Sequence, residues 1–150
     1  MFNFGKTEEE SARLTAMDEN YGIISFEPAG TIINANENFL ELMGYSLENV
    51  VGQHHKIFCD EHYTNTDAYI QFWKNLQNGK SQINEFKRFK KDGSSVWIQA
   101  SYTPVKNKSG KVTRVVKFAQ DITESKAVID AVKEAIELAK KGVMKQNIPL

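Results

Sequence analysis

Apolar and polar positions change period several times along the chain, and each change marks an element. Thr7 to Asn20 lacks Gly and Pro and spaces Leu14 and Met17 three apart, which predicts a short, weakly amphipathic helix. Gly22 to Phe26 and Thr31 to Ala35 read as strands around the turn Pro28-Ala29-Gly30, a connection that implies an antiparallel hairpin. Asn36 is placed to cap a helix carrying Phe39, Leu40 and Met43 that stops at Gly44. Ser46, Asn49 and Val50 predict one more helical turn, closed by Gly52. Gln53 to Thr64 has no clear period. From Asn65 to Gln77, Tyr69, Phe72, Trp73 and Leu76 recur at i, i+3, i+4 and i+7, the spacing of a helix with one buried face. Three longer strands follow, Ile83 to Lys90, Ser95 to Val105 and Val112 to Ile122, joined by hairpins at Lys91-Asp92-Gly93-Ser94 and at Lys106 to Lys111. Thr123 then opens a final helix to Lys141, with Val128, Ala131, Val132, Ala135, Leu138 and Ala139 on one stripe and Gly142 as its expected end.

A chain of 150 residues suits one domain with a true core. With 41% hydrophobic and 25% charged residues it is neither collagenous, mucin-like nor largely disordered. Nineteen basic and nineteen acidic residues cancel, so the basic excess of a strong nucleic-acid binder is absent and no nucleic-acid partner is expected. No apolar run approaches the ~20 residues of a membrane span, and Met1 to Glu10 holds no apolar signal-peptide core. One cysteine, Cys59, excludes an internal disulfide framework; a reducing, cytoplasmic setting is the expectation.

Candidate chemistry gathers in the segment without a period. His54, His55, Cys59 and His62 lie within nine positions. Structural zinc favours paired cysteines and four tetrahedral ligands, so one Cys with three His is a poor match. A single axial histidine on a haem iron needs only one ligand and an apolar pocket. Equally, these side chains can cap short turns or face water. No Gly-x-Ser-x-Gly turn or phosphate loop occurs, and His54 or His55 lies too close in sequence to Cys59 to suggest an assembled nucleophile–base pair. No enzymatic activity is expected. On the fourth strand Val96, Ile98, Ala100 and Tyr102 alternate with Trp97, Gln99, Ser101 and Thr103; the first set should face a pocket and Trp97 the opposite side.

Two strands, short helices, a longer helix and three strands is the order of PAS domains. Ile33-Asn34-Ala35-Asn36 with Phe39, Gly44-Tyr45-Ser46, Val51-Gly52-Gln53, Phe72-Trp73, Lys91-Asp92-Gly93, Val96-Trp97-Ile98-Gln99-Ala100 with Pro104, and Asp121-Ile122-Thr123 resemble that family from about Tyr21 to Lys126. His54-His55 leading into Phe58, the Phe72-Trp73 pair and Glu85-Phe86-Lys87-Arg88 resemble more narrowly the N-terminal PAS modules of aerotaxis-type methyl-accepting chemotaxis transducers.

The resemblance implies an α+β fold: a five-stranded antiparallel sheet, helices on one face, and flanking N- and C-terminal helices. It divides the chain into a flanking helix (1–20), the sensor domain (21–123) and a signalling helix and linker (124–150). It implies a sensory input domain that reads oxygen, redox state or a small ligand through a core-bound cofactor, b-type haem ahead of FAD. His54, His55 (the candidate iron ligand), Phe58, Trp73, Arg88, Ile98 and Ala119 would line the cofactor site. In light-sensing flavin relatives a cysteine stands where His55 does, so a cysteine–flavin adduct is not expected; Arg88 replaces an asparagine common in flavin-binding relatives. Val115 and Ala119 would face inward, leaving Phe118 with Trp97 as an outer patch covered by the N-terminal helix or a second subunit; Lys117 would then point inward without a known partner. Asp121 and Thr123 would form the signal exit. A homodimer through Trp97, Phe118, Val128, Val132 and Ala135, with a downstream chemotaxis signalling domain or partner protein, is the expected assembly. A cofactor-free ligand-binding or dimerisation module, and a metal- or thiol-dependent enzyme, are the alternatives.

Overall fold

The architecture comes from a computed structural model that describes residues 5 and 7–146, without the side chains of 143–146. The parts of the expected flanking segments at 1–4, 6 and 147–150 lie outside the described residues. The order is α1 (Glu8–Asn20), β1 (Gly22–Phe26), β2 (Ile32–Ala35), α2 (Glu37–Met43), α3 (Leu47–Val50), a 3-10 turn (His55–Phe58), α4 (Glu61–Thr64), α5 (Asp67–Gln77), β3 (Gln82–Phe89), β4 (Ser95–Lys106), β5 (Val112–Asp121) and α6 (Thr123–Gln146). The five strands form one antiparallel sheet in the order β2-β1-β5-β4-β3. The expected α+β fold is therefore present. The segment without a period resolves into the 3-10 turn and α4, too short to show a repeat. α6 runs through Gly142 rather than ending there; one glycine costs a long helix only about 1 kcal/mol.

Local chemistry fixes the frame. The Asn36 carboxamide oxygen accepts from the Phe39 and Ile23 amides, capping α2 and tying it to β1. Gly44 ends α2 with φ 75°. Gly30, at φ 103°, closes the β1–β2 turn, and a Cβ there would lie 2.5 Å from His54 Nε2. Gly30→Ala therefore meets both the left-handed backbone and the His54 ring. It is expected to lower the unfolding free energy by about 1–3 kcal/mol in denaturant; an unchanged midpoint would contradict this packing.

The short helices and α5 cover one face of the sheet. Val96, Ile98, Ala100 and Tyr102 of β4 and Val115 and Ala119 of β5 are buried there, with Phe39 and Leu76 opposite. The opposite face stays half-open. α1 buries none of its residues, so it does not serve as the expected cover. Instead the Tyr21 ring meets Phe118 edge-on, and the Lys126 ammonium sits 4.4 Å from the Trp97 ring centre.

Candidate functional site

The centre of the covered face is polar. The 3-10 turn splits the two adjacent histidines. His54 Nε2 donates to the Ala29 carbonyl at 2.8 Å while Nδ1 accepts from the Lys56 amide, so His54 caps the turn and braces the β1–β2 hairpin from the rim. His55, fully buried, points inward. Its Nδ1 lies 2.8 Å from the Tyr69 hydroxyl of α5 and its Nε2 lies 2.9 Å from the Tyr102 hydroxyl of β4. A neutral imidazole satisfies both hydroxyls, one as donor and one as acceptor. Around it stand the rings of Phe26, Phe58, Phe72 and Trp73, with centres 5.3–6.3 Å away.

Two cationic side chains share this interior. Arg88 of β3 donates from Nη1 to the Lys87 carbonyl at 3.0 Å and from Nη2 to the Tyr102 hydroxyl at 3.3 Å, and its Nε has no partner. The guanidinium lies 4.7 Å from the Phe86 ring centre. Lys117 of β5 is fully buried and its Nζ bonds to nothing; the Tyr102 and Phe39 ring centres stand 4.9 and 5.5 Å away. Trp73 Nε1 lies near Tyr69 but makes no hydrogen bond of acceptable geometry. These three atoms are the buried side-chain polar atoms without a partner among the described residues, and all three are donors. All nineteen Asp and Glu side chains are exposed, so no acid stands beside Arg88 or Lys117.

Titration follows from this. Burial, then the charges of Arg88 and Lys117, holds His55 well below its usual range. Burial, then Arg88, holds the Lys117 amine well below its own. Burial pushes the Cys59 thiol up, so the thiolate is disfavoured although Sγ lies 3.6 Å from His55 Nδ1. Because folded His55 stays neutral and its unfolded counterpart titrates near about 6.5, the unfolded chain binds more protons below that pH. The His55 contribution to stability is full above about pH 6.5 and falls as the pH drops below it. His55→Gln is expected to lose less stability between pH 7.5 and 5.5 than the wild type in denaturant titrations. Equal losses would show that His55 does not carry this dependence.

The expected site residues divide into three groups. His55, Phe58, Trp73, Arg88, Ile98 and Ala119 are buried, in or around the cluster, and His54 lies on its rim. Asp121 and Thr123 stand at the sheet–helix junction: Thr123 Oγ1 accepts from the Trp97 amide at 3.0 Å, Asp121 Oδ1 accepts from the Thr123 amide, and the Ile122 amide donates to the Trp97 carbonyl. Lys126 pairs with Glu85 at 2.8 Å one turn later. Trp97 and Phe118 are half-buried on the outer face, whereas Val128, Val132 and Ala135 lie exposed along α6. His62 is exposed. Periodicity reads Tyr69 and Tyr102 only as apolar positions. A tyrosine on a buried face was the available signal, because its hydroxyl needs a partner.

No group of three or more His, Cys, Asp or Glu among the described residues could hold a metal ion, and none of their helices is long and apolar enough to cross a membrane. A haem iron could bind His55 only by displacing Tyr69 or Tyr102 from a ring nitrogen, so the arrangement does not favour haem. The three free donors would suit a group that carries carbonyl or ring-nitrogen acceptors.

A family model described as the PAS fold matches residues 32–119. The biofilm dispersion protein BdlA of Pseudomonas aeruginosa is 37% identical over 109 residues, which are 73% of this chain and 26% of that protein. The chain thus spans about a quarter of that relative's length. Among solved structures, a PAS domain from Colwellia psychrerythraea is 23% identical with a TM-score of 0.65, covering 76% of this chain and 97% of that one. A light-oxygen-voltage domain studied with a flavin analogue is 23% identical with a TM-score of 0.64, covering 88% of this chain and 97% of that one.

Proposed function

From the premise that the chain belongs to the PAS fold family, we propose that it is the signal-input domain of a chemotaxis-type transducer and that its stimulus acts on a small molecule held in the interior. The observation that carries this reading is the set of buried donors, Trp73 Nε1, Arg88 Nε and Lys117 Nζ, without acceptors. Buried polar atoms are normally paired, and each unpaired one costs about 1–3 kcal/mol. An acceptor-rich occupant removes that cost.

Flavin is the cofactor favoured over haem. Trp73, Arg88 and Lys117 would hold it by its acceptors, and a bound flavin would supply a redox change. His55 stands where light-sensing relatives place a cysteine and supplies no thiol for an adduct. Its two tyrosine partners keep the ring neutral and oriented. The output path is β5 into α6. Lys117 lies four residues before Asp121, and the Trp97–Thr123 bond ties the start of α6 to the middle of the sheet. The absorption spectrum of the purified chain tests the cofactor. A flavin spectrum supports the reading, a Soret band replaces flavin with haem, and a bare protein spectrum removes the resident cofactor.

We propose further that α6 pairs in parallel with a second copy. Ile129, Val132, Ile136 and Ala139 follow a 3-4-3 spacing, and the first three are about half exposed. A helix this long does not persist in water on propensity alone. Sedimentation is expected to show concentration-dependent dimerisation on the order of micromolar or weaker for so short a seam. A strict monomer at several hundred micromolar would overturn the pairing.

A further inference from the structure

We infer that the interior is an anion site: it takes a small planar organic anion, a carboxylate on an apolar ring, with the carboxylate held by Arg88 and Lys117. This rests on reading the interior as the input site and names the chemistry of its ligand.

Charge balance gives the sign. Arginine stays ionised in proteins, and Arg88 is only 3% exposed with a carbonyl and a hydroxyl as its partners. Every acid of the chain lies on the surface, so the missing counter-charge must come from outside. Geometry gives the group. The Nε and Nη2 edge of a guanidinium is one of the forks that a carboxylate accepts with two bonds. On that edge Nε is free and Nη2 makes only the long 3.3 Å bond to Tyr102. Lys117 packs against the same Tyr102 ring. Burial holds its amine below its usual range, and an anion beside it would return the proton. Surroundings give the body. Phe39, Phe72, Phe86 and Tyr102 pack around the two basic groups as an aromatic wall, the surroundings that suit an apolar ring.

A surface cleft borders the cluster. It encloses about 270 Å³ and is lined by His54, Lys56, Tyr69, Trp73 and Lys74, among others, and by no acid. Its wall residues Tyr69 and Trp73 also pack on the His55 ring. The cleft and the cluster are therefore two sides of one aromatic partition, and the lysines outside carry the same charge sign as the cations within.

The test titrates the full chain as purified with sodium benzoate and with benzamide, the uncharged analogue, against matched sodium chloride. Thermal unfolding, and release of any flavin the chain carries, are followed. Benzoate is expected to raise the unfolding midpoint, and to displace any flavin, at concentrations at least ~10-fold lower than benzamide requires. Arg88→Gln and Lys117→Met should each abolish that preference, and Lys117→Met keeps the fold because methionine fits the same apolar shell. No response to benzoate, an equal response to benzamide, or a preference that survives both substitutions would overturn the anion site. A flavin spectrum alongside any of these results would leave the input reading standing, so the two failures are distinguishable.

Discussion

Phe72→Ala is expected to lower the unfolding free energy by about 3–5 kcal/mol, the largest loss foreseen for a single substitution here. The Phe72 ring is buried between α5 and the sheet. It meets Tyr102 edge-on at 4.9 Å, Trp73 at 5.7 Å and Phe86 at 6.1 Å, and stacks towards His55 at 6.2 Å. His55 is held by its two hydrogen bonds, and Phe86 and Tyr102 by the sheet backbone, so the cavity cannot close by simple collapse. Equilibrium denaturant unfolding measures the loss. A change of only a few tenths of a kcal/mol would mean that α5 does not pack on the sheet as described.

Lys117→Met acts in the opposite direction, raising stability by about 1–4 kcal/mol at neutral pH. The folded chain buries an amine that must give up its proton, whereas the unfolded chain keeps it up to about pH 10.5. Between the depressed folded pKa and that value the unfolded state binds more protons, so wild-type stability rises with pH, by up to about 1.4 kcal/mol per unit. The variant loses that slope between pH 7 and 9 while remaining folded. Denaturant midpoints at the two pH values check both statements. A destabilised variant with an unchanged slope would show that Lys117 is charged and paired in the folded chain.

Much of the fold is legible in the sequence because its elements obey simple periods. The i, i+3, i+4, i+7 spacing of Tyr69, Phe72, Trp73 and Leu76 predicts α5, and two-residue alternation predicts the buried face of β4. The site is less legible, because its members come from five elements. His54 and His55 are neighbours, and only the phase of the 3-10 turn decides which enters the interior. Tyr69 and Tyr102 meet at His55 although 33 positions separate them, and nothing local marks that meeting. Alternation leaves the phase of β5 open, the resemblance turns Lys117 inward without naming a partner, and none stands there. The fate of α6 is illegible for another reason. Its stripe predicts a helix, but Val128, Ile129, Val132, Ile136 and Leu138 all stay about half exposed or more, and a period does not say what packs on it.

In the proposed function the state of the interior reaches α6 through the sheet. Lys117 pairs with Tyr102 across β5 and β4, and the same two strands carry Asp121, Thr123 and Trp97 to the helix start. Amide hydrogen exchange compared between the wild type and Lys117→Met tests this directly, since the substitution removes the buried amine from the interior and touches nothing at the junction. The account predicts that protection of the Trp97, Ile122 and Thr123 amides shifts at least ~10-fold relative to that of Ile32 on the far strand β2. Protection that shifts equally at all four amides would contradict it, leaving the interior and α6 uncoupled.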